Sequence, residues 1–144
     1  KIKKILKQCA AETESFQARS FKYGEEANFI ATYYKKSKHF KNLQNKIVKL
    51  LNPLRENLLR EKDKKKLQKL IPIERQNVKR YGFRGVGDRF FPHLTFTKLA
   101  QTNPTIIKTI KKQNFSFTAN KLGLMRLGDH GTGRKIIAAF DMKE

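Results

Sequence analysis

The residues of this sequence best suited to chemistry lie in one run, Arg89 to Leu99, RFFPHLTFTKL. A single imidazole, His93, is followed at alternate positions by the hydroxyls of Thr95 and Thr97, with large apolar residues between them. As a strand, the run projects His93, Thr95 and Thr97 to one face, and Leu94 and Phe96 to the other, where they can bury against helices. The imidazole and the first hydroxyl then stand about 7 Å apart along the strand, within reach of one ligand. Histidine exchanges a proton near neutral pH, and a threonine hydroxyl can donate to a phosphate oxygen. One such pair is half of a phosphate-handling site, because in-line chemistry needs an acid on one side of the phosphate and a base on the other.

Nearby groups extend the candidate site. Arg84 and Arg89 flank the run and can offer guanidinium groups to a phosphate, and Tyr33 can stack a base. Lys98 alternates onto the Leu94 and Phe96 side, which argues against a role in the site unless the strand ends there. The other two histidines supply no second pair. His39, in KSKHFKN, has no hydroxyl two residues on and is read as a surface or capping residue just before a helix. His130 reads His-Gly-Thr with Thr132, but in the glycine-rich connection GDHGTG it is read as a turn residue.

The elements that must position these groups follow from periodicity. Ile2, Ile5, Leu6 and Cys9 fall at helical spacing with no capping residue before them. Ser15 to Lys35 reads as a β-hairpin turning at Tyr23-Gly24-Glu25-Glu26, with Phe29, Ala31 and Tyr33 on one face. Leu43, Ile47, Leu50, Leu51 and Leu54 mark an amphipathic helix, which continues as a strongly basic helical stretch to Leu70. A short helix spans Ile73 to Arg80, with Pro72 at its first turn and Gly82 just past its end. The His93 strand, a helix over Pro104 to Lys112 and two strands, Phe115 to Leu127 and Arg134 to Met142, complete an α+β order. A helix followed by a hairpin occurs at both ends, and only the second has a strand before it.

The chain has 144 residues, enough for one domain with a core of its own. Its lone cysteine, Cys9, can form no internal disulfide, which fits a reducing, intracellular (cytoplasmic) setting and rules out a cysteine-based zinc site. No apolar run approaches membrane-spanning length. With 33 basic and 12 acidic residues the formal net charge is +21, which points to a polyanionic partner, RNA first, although abundant Lys, Asn, Ile and Phe also fit an AT-rich coding bias.

The run YGFRGVGDRFFPHLTFTKL, with NPLRENLL (Asn52 to Leu59) before it and the hairpin KLGLMRLGDHGTGRKIIAAFDM (Lys121 to Met142) after it, resembles the two-histidine (2H, LigT-like) phosphoesterase superfamily. The signature of that superfamily is H-x-[ST] between apolar residues, used twice. The resemblance implies a bilobal α+β fold with antiparallel sheets around a cleft, no metal and no cofactor. It also implies action on 2',3'-cyclic phosphates or 2'-5' linkages of RNA or nucleotides. His93 would be one acid/base and Thr95 its phosphate-binding partner. The first motif is absent here, and the resemblance places it on a strand ahead of Lys1. Residues 1–144 are therefore expected to form one two-histidine phosphoesterase-like domain lacking its N-terminal strand. Such a chain is expected to be inactive or impaired alone, with a sheet edge open to a partner strand. Two other readings stay open: a basic RNA-binding or ribonucleoprotein-associated protein without turnover, and a small basic scaffold in which His93 is structural.

Overall fold

The computed structural model describes residues 1–26, 28–101, 104–111, 113–128 and 133–144. The chain runs α1 (Ile2–Ala11), β1 (Phe16–Ala18), β2 (Ser20–Glu26), β3 (Phe29–Tyr34), α2 (Lys38–Leu51), α3 (Glu61–Lys64), α4 (Pro72–Tyr81), β4 (His93–Lys98), α5 (Pro104–Lys111), β5 (Phe117–Ala119), β6 (Lys121–Leu127) and β7 (Gly133–Asp141). This is an α+β architecture whose strand ladders are antiparallel.

β1 pairs with β5, β6 with β7, and β2, β3 and β4 form a three-stranded sheet with β3 in the centre. Helix α1 packs on β6 and β7 and against α2. Its buried residues, Leu6, Cys9 and Ala10, recur at helical spacing. Phe16 and Met142 join Ala10 in the core, with Phe40, Leu43, Ala119, Leu122 and Phe140 packed around them. Burial pushes the Cys9 thiol above its ordinary range, so this cysteine is a protonated core residue and not a nucleophile. Across the β6–β7 ribbon, Met125, Leu127, Ile136 and Ile137 stay exposed.

Three local expectations give way to tertiary packing. The hairpin does not turn at Gly24, which lies inside β2; β2 runs on to Glu26 and Asn28 takes the left-handed backbone, φ 65°. Gly24 serves the strand pair instead, because the Tyr33 ring lies so close that a Cβ there would meet its Cε2 at 3.1 Å. The basic stretch after Leu54 is not one helix. Pro53 opens a 3-10 turn over Asn52–Arg55, and Glu56 and Asn57 then adopt left-handed φ of 52° and 58°. Arg55 holds the break together by donating to the carbonyls of Leu58, Lys79 and Arg80, which ties this turn to the C-terminal end of α4. Third, α2 begins earlier than its apolar periodicity indicates. Ser37 caps it by accepting from the Phe40 amide, so His39 lies inside the helix and stacks on the Phe16 ring, centroids 5.3 Å apart.

Helix α4 starts at Pro72 and stops at Gly82 with φ 74°, as its sequence predicts. Helix α5 is described to Lys111, and Lys112 lies outside the described residues, as do His130 and Thr132. Among the described residues no helix is long and apolar enough to cross a membrane.

Candidate functional site

His93 opens β4 on the edge of the β2–β3–β4 sheet, and its neighbours in space come from β3. Tyr33 faces His93, Thr32 faces Leu94 and Ala31 faces Thr95. Cross-strand partners share a face, so His93 and Thr95 stand together with Tyr33 and Ala31. Both side chains are exposed, and the Tyr33 and His93 rings lie 6.2 Å apart.

The protonation pattern of His93 is set by its backbone surroundings. Its Nδ1 lies 2.8 Å from the Phe91 carbonyl oxygen. A carbonyl can only accept, so Nδ1 carries the hydrogen, and in the neutral ring the lone pair sits on Nε2, free for a ligand. The loop that brings this carbonyl into place is itself fastened. Lys36 donates from Nζ to the carbonyls of Gly87 (3.2 Å) and Asp88 (3.1 Å), and its ammonium lies 5.8 Å from the centre of the Phe91 ring. The Tyr34 amide donates to Pro92 O at 3.0 Å, closing the start of the ladder.

Buried Asn77 on α4 holds the preceding loop by donating from Nδ2 to Arg84 O (3.1 Å) and Val86 O (3.0 Å). Replacing Asn77 with alanine removes both donors and takes this partner from Arg84 O, while Val86 O keeps the Arg89 amide at 3.3 Å. The expected loss is about 1–3 kcal/mol of stability, read as a lower urea midpoint at unchanged slope. A loss below about half a kcal/mol would show that water replaces the amide freely.

The flanking arginines do different work. Arg89 lies in a 3-10 turn and pairs with Glu74 of α4 at 2.9 Å. Arg84 is exposed, and its backbone is the part that is anchored.

Beyond Thr95 the regular alternation fails. Ala31 faces Thr95 and the adjacent Ile30 faces Thr97, which leaves Phe96 as the extra residue of a β-bulge. Ile30 and Ala31 point to opposite faces, so Thr97 turns away from His93, against the expectation from strict alternation. The same bulge returns Lys98 to the His93 face, opposite Phe29, and its Nζ lies 5.4 Å from the centre of the Phe29 ring. Sequence reasoning missed Lys98 because nothing in LTFTK marks the bulge; only the pairing with Ile30 and Ala31 does.

The opposite face is covered more thinly than expected. Phe96 packs on Phe115, centroids 4.7 Å apart, and Tyr34 donates to Phe115 O at 3.1 Å, so the connection after α5 forms the lid. Leu94 remains 46 % exposed. Burial beneath this lid raises the pKa of the Tyr34 hydroxyl and keeps it protonated as a donor.

The arrangement puts an imidazole, the Thr95 hydroxyl and the Lys98 ammonium on an open sheet face, and Lys22 of β2, opposite Tyr33, adds a second cation to it. Among the described residues no three His, Cys, Asp or Glu side chains gather as a metal site. The family model described as "Protein of unknown function (DUF1045)" matches residues 1–128. No curated protein matches the sequence.

Proposed function

This chain belongs to the DUF1045 family, and we propose that it is a phosphodiesterase of the two-histidine type, acting on 2',3'-cyclic phosphate or 2'-5' linkages of RNA or nucleotides. The observation that carries this reading is His93 itself. Its Nδ1 hydrogen is committed to Phe91 O, its Nε2 is open, and Thr95 stands one residue row away on the same exposed face. In this reading Nε2 takes a proton from water or a ribose hydroxyl, or gives one to the leaving oxygen, while the Thr95 hydroxyl holds a non-bridging phosphate oxygen. Tyr33, beside the imidazole, takes the base or sugar. A second acid/base group completes the reaction on the opposite side of the phosphate. The resemblance to the two-histidine superfamily, the single phosphate-ready pair and the open sheet face support this assignment together. The test is turnover of a 2',3'-cyclic nucleotide by the full-length protein and its loss in His93→Ala.

The charge of +21 favours a second reading, RNA binding without turnover. Under it, RNA affinity falls steeply with salt, the logarithm of the binding constant dropping with a slope of about 0.7 per phosphate contacted on a single strand. Titration of a labelled RNA at several salt concentrations reads that slope, and a salt-independent affinity would remove RNA as the partner.

A further inference from the structure

Lys98 is the one cation that the bulge adds to the His93 face, and its position bears on the length of ligand that face accepts. Had β4 kept strict alternation, Lys98 would lie with Leu94. Instead it faces Phe29, in the row beyond Thr95, and His93, Thr95 and Lys98 follow one another along a single face. Successive rows on one face are about 7 Å apart. The Lys98 ammonium lies 5.4 Å from the centre of the Phe29 ring, across the sheet in its own row. A phosphate held by Thr95 therefore leaves the Lys98 charge for something else.

A cyclic mononucleotide has one phosphate and no group to place in that row. A single strand does, since its next phosphate lies at a spacing of the same order as the rows. Such strands are commonly held by a cation tracking the backbone beside an aromatic ring that stacks a base without regard to sequence. Phe29 is half-buried beneath the ammonium and has its ring on this face.

We propose that the His93 face is built for an RNA strand of two or more nucleotides, with Lys98 binding the phosphate adjacent to the one held at His93 and Thr95. This inference rests on the phosphodiesterase reading for its register but not for its test. Fluorescence anisotropy of the full-length protein with a labelled RNA trinucleotide bearing a 3'-phosphate, and with a labelled mononucleotide 3'-phosphate, needs no turnover. Lys98→Ala is expected to weaken the trinucleotide about tenfold, the scale of one charge-assisted hydrogen bond. It should also lower the salt slope by about 0.7, one phosphate contact. Lys98→Arg should keep both, and mononucleotide binding should be the same in all three proteins. Equal weakening of both ligands, an unchanged trinucleotide affinity, or no trinucleotide binding by the wild type would each overturn the proposal. If the wild type binds the trinucleotide in this Lys98-dependent way yet turns over neither a 2',3'-cyclic nor a 2'-5'-linked substrate, the phosphodiesterase reading falls and the Lys98 subsite stands.

Discussion

Replacing His93 with alanine should lower hydrolysis of a 2',3'-cyclic nucleotide by the full-length protein by about 10²- to 10⁴-fold, the usual contribution of one positioned acid or base. The loss should fall mainly on kcat, because Thr95 and the neighbouring rings, the proposed ligand contacts, are left in place. The fold should survive, since His93 is exposed on an edge strand and its ring bonds to Phe91 O, two residues away, and not to another element. An exposed substitution of this kind shifts stability by about half a kcal/mol. Urea unfolding of the variant separates a dead enzyme from an unfolded one. Turnover at the wild-type rate in His93→Ala would defeat the assignment of His93, and with it the reading of β4 as half of an active site.

The His93 and Thr95 pair was legible in the sequence because a strand obeys its two-residue period until something interrupts it. The interruption comes at Phe96, just past the pair, and its cause lies far back in the chain, in the register of Ile30 and Ala31. A reader of RFFPHLTFTKL alone therefore has no reason to move Thr97 off the face or Lys98 onto it. Gly24 misleads for a related reason. Tyr-Gly-Glu-Glu has the composition of a turn, yet the glycine lies inside β2 with the Tyr33 ring against it, where a Cβ would meet Cε2 at 3.1 Å. Pro53 is the opposite case, a break marked locally in the sequence. A proline after a long amphipathic helix ended it, although the basic residues beyond favour helix by propensity. The ends of α4, by contrast, are marked by residues whose backbone limits are intrinsic, Pro72 and Gly82, and these fell where expected.

The sheet that presents His93 depends on β3, and truncating Ile30 to alanine is expected to cost about 2–5 kcal/mol. Ile30 is 2 % exposed and sits at the bulge, facing Glu25 on β2 and Thr97 on β4. It shares its face with Thr32 and Tyr34, both buried. β4 has no strand partner other than β3 among the described residues, so a cavity in the central strand loosens both of its neighbours. Against a typical domain stability of about 5–15 kcal/mol, such a loss is large enough to read directly from the urea midpoint. Ile30→Val, which deletes one methyl group, should cost about 0.5–1.5 kcal/mol. The two variants together test the geometry as well as the burial. A loss in Ile30→Ala no greater than that in Ile30→Val would mean that the site collapses without a cavity, and that β3 is not the rigid centre of the sheet. A full loss in Ile30→Ala, with Ile30→Val retaining wild-type kcat, would mean instead that the bulge is fixed by packing and that the His93 face is held in register by the residue opposite Thr97.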